Sequence, residues 1–298
     1  METATHTWTL RLPRERSLGL GGRPRIMGIL NLTPDSFSDG GLWLDPPRAV
    51  ERGLRMLAEG AEILDLGAES TRPGGGVYGE GARTVPPGEE AGRLLPVLEA
   101  LRAATDAPIS VDTRKGEVGA RALAAGADLI NDVTALSDPR LGEVVAAAGC
   151  PLVLMHSRGD LATMQRGIRF HDLLDEVCDE LADAVLRAVG FGIAKEQLVL
   201  DPGIGFGKTW EQNLALIRHL DELRPLGRPL LLGASRKSFI AKASARPDAP
   251  PESRLGGSLA AVAWAASQGA AIVRVHDVAE TAQLLDVWYA IARQRVDA

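Results

Sequence analysis

The sequence is poor in several features that mark specialised classes of protein. Two of its 298 residues are cysteine, and Cys150 and Cys178 form neither a CxxC pair nor a metal-binding spacing. Aromatic residues make up only 4% of the chain. No segment of about 18 consecutive apolar residues is present, so we expect no transmembrane helix. With 45% hydrophobic and 24% charged residues, the composition excludes wholesale disorder and a disulfide-stapled scaffold.

Positive charge is also scarce. The chain carries 33 lysine and arginine residues against 39 acidic ones, a formal net charge of -6, without a basic cluster. We therefore predict no nucleic-acid partner, and an anionic ligand must be held by a few well-placed cations. The first residues lack the apolar stretch of a signal peptide, and a low cysteine content is typical of reducing compartments. We expect a cytoplasmic location without membrane association.

Glycine, by contrast, is abundant, with 33 residues beside 18 prolines. Such a composition is typical either of flexible linkers or of many tight turns, and the positions decide between the two. Eight short, continuously apolar segments recur along the chain, as expected for parallel strands that are buried on both faces. These predicted strands span residues 25–30, 61–66, 107–112, 128–131, 151–155, 197–201, 229–233 and 271–275.

Amphipathic segments with helical spacing of their apolar residues lie between the predicted strands. Several of them have a glycine near their end, where a helix often needs a left-handed cap. The predicted helices span residues 46–60, 89–104, 115–126, 139–149, 171–190, 210–223, 253–268 and 277–294. The expected cap glycines are Gly60, Gly126, Gly149, Gly190 and Gly269.

Eight alternating strand–helix units predict an α/β fold, a (β/α)8 TIM barrel. A doubly wound open sheet is the competing fold, but it usually has a glycine-rich phosphate turn after its first strand. Here the first strand is followed by NLTPD. Residues 1–23 contain the segments WTLRLP and SLGLGG, which predict a short β-hairpin that covers the bottom of the barrel.

Polar residues follow the predicted strands at the end where catalytic groups of such barrels lie. One polar residue at a strand end is common, but a full ring of them indicates a binding crevice. The ring comprises Asn31, residues 65–71, Asp112, Asn131, His156, Asp201, Ser235, Lys237, Arg274 and His276.

The ring combines two kinds of chemistry. Its carboxylates and amide accept hydrogen bonds, as a flat heterocycle with amino and ring N–H donors requires. Its cations suit a phosphate group. The acceptors are Asp112, Asn131 and Asp201, and the cations are Lys237, Arg274 and His276.

Asn31 and Asp35 add hard oxygen ligands, which suit a Mg²⁺ ion that keeps most of its water and bridges to phosphate oxygens. The sequence has neither an HExxH motif nor a His/Cys cluster, so we expect no protein-caged transition metal.

Three other features allow simpler interpretations. The segment DPGIGFGKT resembles a P-loop but has Pro202 where that motif needs its first glycine. Asp65 and Glu69 either anchor loop backbone or contact a ligand, and the sequence leaves both interpretations open. Cys150 has no neighbouring base in the sequence and is expected to be a buried small residue, not a nucleophile.

Seven segments together resemble the dihydropteroate synthase family, the folate-pathway transferases that sulfonamides inhibit. The resemblance extends from about residue 24 to the C-terminus. The segments are MGILNLTPDSFSDGG (27–41), AEILDLGAESTRPG (61–74), ISVDT (109–113), INDV (130–133), LDPGIGFGKTWEQN (200–213), GASRKSFI (233–240) and RVHDV (274–278).

This resemblance implies one pterin-binding barrel domain over residues 1–298, with residues 1–23 as its hairpin extension, and a homodimer. It implies condensation of 6-hydroxymethyl-7,8-dihydropterin diphosphate with 4-aminobenzoate to give 7,8-dihydropteroate and diphosphate, with Mg²⁺ as cofactor.

The resemblance also implies a role for each site residue. Asn31, Lys237, Arg274 and His276 would be the catalytic residues. Asp112, Asn131, Asp201 and Lys237 would bind the pterin, and Asn31, Arg274 and His276 the diphosphate. Asn31 and Asp35 would hold the metal. Phe37, Thr71, Arg72, Pro73, Phe206 and Ser238, the last at the start of a helix, would line the aminobenzoate site.

Two other functions share part of this pattern. A barrel that presents methyltetrahydrofolate to a cobalamin protein would use Asp112, Asn131 and Asp201 without needing Arg274 and His276 for diphosphate. A non-catalytic pterin-binding paralogue would not need the NLTPDSFSDGG and STRPG segments, which are intact here.

Overall fold

The computed structural model describes residues 7–33, 45–70, 84–159 and 164–294. A two-stranded antiparallel hairpin precedes a sheet of eight parallel strands in this part of the chain. The hairpin strands are β1 (Trp8–Leu12) and β2 (Arg16–Leu20). The parallel strands are β3 (Arg25–Asn31), β4 (Ile63–Gly67), β5 (Ile109–Asp112), β6 (Leu129–Asp132), β7 (Leu152–Met155), β8 (Leu198–Asp201), β9 (Leu231–Leu232) and β10 (Ile272–Val275).

The eight strands are ordered β8, β7, β6, β5, β4, β3, β10, β9. A parallel bridge between Leu200 and Leu230 brings the two ends of this order together, so the sheet forms a barrel. The predicted (β/α)8 barrel is confirmed, and the doubly wound alternative is excluded. All eight predicted strands are present, although β9 has two residues where a five-residue segment was expected.

The helices lie outside the barrel and follow the predicted segments closely. They are α1 (Pro46–Ala58), α2 (Pro87–Ala104), α3 (Gly116–Ala124), α4 (Pro139–Ala148), α5 (Leu173–Gly190), α6 (Trp210–Arg218), α7 (Ser238–Ala243), α8 (Leu255–Ser267) and α9 (Val278–Arg293). As expected, α7 begins at Ser238. Helix α6 ends before the predicted residue 223, because the chain continues as a 3₁₀ turn over Leu220–Leu226. None of the helices in the described ranges is long and apolar enough to cross a membrane.

Four of the five predicted cap glycines have the positive φ that a left-handed cap requires. Gly190 was predicted wrongly, because it is the last residue of α5 and lies inside the helix. Gly192, two residues later, has a φ of 90° and takes that role. The other four are Gly60, Gly126, Gly149 and Gly269.

The hairpin closes the bottom of the barrel, as predicted. Its leucines are buried against the amino-terminal ends of the barrel strands, in a cluster that includes Met27, Ile63 and Val199. Hydrogen bonds hold it there. The Gln197 side chain accepts from the Arg11 amide at 2.8 Å and donates to the Arg11 carbonyl at 2.6 Å.

A buried carboxylate also pins the hairpin to the barrel. Asp128 is fully buried and forms ion pairs with Arg14 and Arg16 of the hairpin and with Arg102 of α2. The bottom of the barrel is therefore tied by apolar packing and by ion pairs, and the opposite face is left for the polar ring.

Candidate active site

Arg274 occupies the centre of the carboxyl-terminal face of the barrel. Its Nε donates to Asp65 Oδ2 at 2.5 Å, and its Nη2 donates to Asp112 Oδ2 at 2.9 Å. Asn131 Nδ2 donates to the same Asp65 oxygen at 3.2 Å. Side chains from three strands therefore meet at one guanidinium, because Asp65, Asp112 and Arg274 belong to β4, β5 and β10.

Asp201 faces the same centre from β8. A methyl group placed on Gly233 would lie 3.8 Å from both Asp201 Oδ2 and the Arg274 Cβ, so the two side chains border one space. The Lys237 ammonium lies close enough to Asp201 and Asp112 to interact electrostatically with both. The structure thus brings together all four residues for which a pterin-binding role was predicted.

The charges of this centre are strongly coupled. Burial raises the pKa of Asp112 to about 7, although Arg274 opposes the increase. Burial also raises the pKa of Asp201 against the attraction of Lys237, and it lowers the pKa of Lys237 to about 8. For Arg274, burial lowers the pKa, but Asp65 and Asp112 together outweigh it, so the guanidinium remains charged.

The glycine-rich loop after β8, residues 203–207, contacts both this centre and a small apolar cluster. Asp201 Oδ1 accepts from the Gly203 amide at 2.7 Å. Phe206 is buried against Val133, Met155 and Met164. The Lys237 ammonium lies 4.8 Å from the centre of the Phe206 ring and donates to the Ile204 carbonyl.

The remaining described candidates lie at the end of β3, after β10 and at the start of α7. Asn31 is the last residue of β3 and is half-buried. His276 follows β10, with its Nδ1 3.0 Å from the Ser235 hydroxyl, which also accepts from the His276 amide at 3.2 Å. Ser238 is half-buried at the start of α7.

Five candidates lie outside the described residues. They are Asp35, Phe37, Thr71, Arg72 and Pro73. Within the described ranges, no group of three or more His, Cys, Asp or Glu side chains is arranged to hold a metal ion.

The two interpretations left open for Asp65 and Glu69 resolve differently. Asp65 is fully buried in the ring, and its Oδ1 has no hydrogen-bond partner among the residues that the structure describes. Glu69 anchors backbone, because its Oε1 accepts from the Val85 amide at 2.9 Å. Ion pairs with Arg114 and Lys115 at 2.9 and 2.7 Å hold Glu69 in place and lower its pKa against the effect of burial.

Lys208 was not among the predicted site residues, because the GKT segment resembled only an incomplete phosphate loop. Lys208 is 2% exposed, and its ammonium donates to backbone carbonyls of the 203–207 loop. Cys150 is buried, and burial raises the pKa of its thiol to about 12, in line with the expected structural role.

The chain is similar in sequence to known proteins of one family. The family profile described as "Pterin binding enzyme" matches residues 27–276. The dihydropteroate synthase of Synechocystis is 46% identical over 274 residues, which cover 92% of each chain.

Solved structures of such enzymes have the same fold. The Yersinia pestis dihydropteroate synthase in a sulfonamide drug complex superposes with a TM-score of 0.89 at 42% identity, covering 97% of this chain and all of that one. The Xanthomonas albilineans enzyme with 4-aminobenzoic acid gives 0.87 at 45% identity, with the same coverage.

The barrel, its ring of acceptors and cations, and these matches define a class: the chain belongs to the pterin-binding enzyme family. Within that family it groups with the dihydropteroate synthases, which are transferases of folate biosynthesis.

Proposed function

We propose that this site joins 6-hydroxymethyl-7,8-dihydropterin diphosphate to 4-aminobenzoate, with the residue roles that follow. The observation that carries the proposal is the Arg274 guanidinium held between Asp65 and Asp112, beside Asn131. One crevice therefore offers acceptors for a heterocycle and a fixed positive charge for a diphosphate.

The pterin would be bound by Asp112, Asn131, Asp201 and Lys237. A pterin edge carries amino and ring N–H donors, and the two carboxylates and the amide oxygen are acceptors for them. Leaving such buried acceptors unpaired costs about 1–3 kcal/mol each, which would select against analogues that lack the amino group.

The reaction requires departure of diphosphate and attack by an amine. The bond between the pterin methylene carbon and the diphosphate oxygen breaks, and that oxygen keeps the electron pair. The aminobenzoate nitrogen forms the new bond to the methylene carbon and loses a proton. No nucleophilic side chain is needed, so the protein contributes orientation and electrostatic stabilisation.

Arg274, His276 and Asn31 would hold the diphosphate. The charge of Arg274 is preorganised by Asp65, which reduces the reorganisation needed as negative charge develops on the leaving oxygen. His276 is oriented by its Ser235 contact at 3.0 Å.

Asn31 and Asp35 would hold Mg²⁺. The donor set fits this ion, because an amide oxygen and one carboxylate leave most coordination positions for water and phosphate oxygens. When bound, Mg²⁺ would neutralise charge on the departing diphosphate.

Phe206 and Ser238 would form part of the aminobenzoate site, together with Phe37, Thr71, Arg72 and Pro73. The Phe206 ring beside the Lys237 ammonium supports this assignment, because it provides an apolar surface next to the pterin acceptors.

The proposed organisation is one domain that assembles as a homodimer. The hairpin shares its apolar cluster with seven barrel strands, which supports a single domain. An apolar cleft of about 700 Å³ lies between α6, α7 and α8, and Trp264 on its rim is 50% exposed, which supports a partner surface there. A cytoplasmic location and the absence of nucleic-acid and membrane partners remain predictions from composition.

The deciding experiment measures diphosphate release from the pterin diphosphate. We expect release that depends on both Mg²⁺ and 4-aminobenzoate. Pterin binding without release would contradict the proposal and would favour a methyltetrahydrofolate-presenting barrel or a non-catalytic paralogue.

A further inference from the structure

Lys208 is a buried cation that the proposed chemistry does not use. Its ammonium donates to the Gly203 carbonyl at 3.1 Å and to the Phe206 carbonyl at 2.9 Å, and it lies 2.8 Å from His156 Nδ1. An ammonium has three protons, and here each proton has an acceptor. These hydrogen bonds compensate for the burial of the ammonium, because a buried lysine without hydrogen-bond partners would be strongly unfavourable.

His156 extends this interaction to a helix. The imidazole is buried, and its Nε2 lies 2.9 Å from Glu180 Oε2 on α5. Burial lowers the pKa of His156, so the ring is neutral and its Nδ1 can accept from Lys208. Arg158 donates to the other Glu180 oxygen at 2.8 Å.

Burial and the neighbouring charges have opposing effects on the pKa of Lys208. Burial lowers its pKa to about 7, Asp201 and Glu180 oppose this decrease, and Lys237 and Arg158 add to it. An apolar side chain would fill the same space without this desolvation, so the observed contacts indicate a positional role.

The two carbonyls that Lys208 binds lie at both sides of Ile204 and Gly205, so its ammonium fixes the ends of the loop. The loop packs closely against the neighbouring segment, because a Cβ built on Gly203 would lie 1.8 Å from the His156 carbonyl oxygen. This loop carries the amide bound to Asp201, the carbonyl bound to Lys237 and the ring of Phe206.

We propose that Lys208 is a positioning residue that is supported by His156 and Glu180. It fixes the 203–207 loop so that the pterin and the aminobenzoate are held at the correct distance from each other. The loop aims Asp201 and Lys237 at the pterin and presents Phe206 to the aminobenzoate. This inference rests on the proposed function, but it adds a residue that touches neither substrate.

The first test replaces Lys208 by methionine, which keeps the chain length and removes the charge. We expect kcat/KM for aminobenzoate to fall by about tenfold to a hundredfold, mainly through KM, because misplacement of a binding group by about 1 Å has effects of that size. Hydrogen exchange at the amides of Gly203, Gly205 and Phe206 should accelerate, while β6 exchanges as before. Lys242→Met, at an exposed lysine of α7, is the matched control.

The second test leaves Lys208 in place and changes its partner. Asn at position 156 can place an amide oxygen near the Nδ1 position, whereas leucine removes the acceptor. We expect His156→Asn to keep a KM for aminobenzoate close to that of the wild type and His156→Leu to raise it. If Lys208→Met does not fold, this pair decides.

Equal KM values for the two His156 variants, or an unchanged KM and unchanged loop exchange in Lys208→Met, would overturn the inference. A wild-type protein that releases no diphosphate would instead overturn the proposed function, and the exchange comparison would still report on the loop.

Discussion

At the scale of single residues, the centre of the proposed site is one guanidinium that is bound by two carboxylates. Replacing Arg274 by alanine removes the charge that we propose faces the diphosphate, and it leaves Asp65 and Asp112 without this ion-pair partner. We expect kcat/KM to fall by an amount equivalent to about 2–5 kcal/mol. Steady-state kinetics measure this, with Arg48→Ala on the exposed side of α1 as control. A loss smaller than about tenfold, or about 1.4 kcal/mol, would place Arg274 outside the diphosphate site.

Asp112, for which we propose a role in pterin binding, is expected to reduce the stability of the folded protein. Its pKa is raised to about 7 by burial, whereas an aspartate in the unfolded chain titrates near 3.9. Between these values the folded state binds more protons than the unfolded state, so this group lowers the free energy of unfolding as pH rises from about 4 to about 7.

Asp112→Asn should remove that dependence. We expect the stability of the variant relative to the wild type to increase from pH 4 to pH 7, while its affinity for the pterin falls. Chemical denaturation at a series of pH values measures the first effect. Asp286→Asn, at a surface carboxylate, should follow the wild-type curve. If the free energies of unfolding of Asp112→Asn and of the wild type changed with pH in parallel, the raised pKa of Asp112 would be refuted.

At the scale of structural elements, the 203–207 loop differs from an ordinary glycine turn. Gly203 and Gly227 have nearly the same φ, 68° and 67°, but only Gly203 is in contact with another backbone segment. Gly227→Ala should therefore cost about 1 kcal/mol from its backbone conformation alone. Gly203→Ala adds a clash with the His156 carbonyl and should cost about 1–3 kcal/mol more, with a raised aminobenzoate KM. Equal stability losses for the two variants would contradict the tight packing of this loop.

The same elements explain what the sequence could and could not predict. Strands buried on both faces leave continuous apolar segments, so all eight were visible, and the strand-end rule located Asp112, Asn131 and Arg274. Because these segments are apolar throughout, the sequence does not show which face of the sheet a residue occupies. The role of Asp65 within β4 therefore remained open. Lys208 was missed because its side-chain partner, His156, is 52 residues away in the chain.

At the scale of the whole molecule, the barrel separates the determinants of stability from those of activity. The hairpin leucines and Asp128 lie at the amino-terminal ends of the strands, and the Arg274 centre lies at the carboxyl ends. A change at the bottom should therefore alter the free energy of unfolding without altering the site, as long as the protein remains folded.

Leu10→Ala tests this separation. Leu10 is fully buried in the hairpin cluster, so its truncation removes apolar contacts and leaves a cavity, at a cost of about 2–5 kcal/mol. Leu186→Ala, at a leucine that is 69% exposed on α5, should change the free energy of unfolding by less than about 0.5 kcal/mol.

Denaturant unfolding gives both values, and kinetics below the transition should show KM values for both substrates within about twofold of the wild type. A large KM change in Leu10→Ala would mean that the hairpin is coupled to the site through the strands, because no hairpin residue in the described ranges belongs to the Arg274 centre.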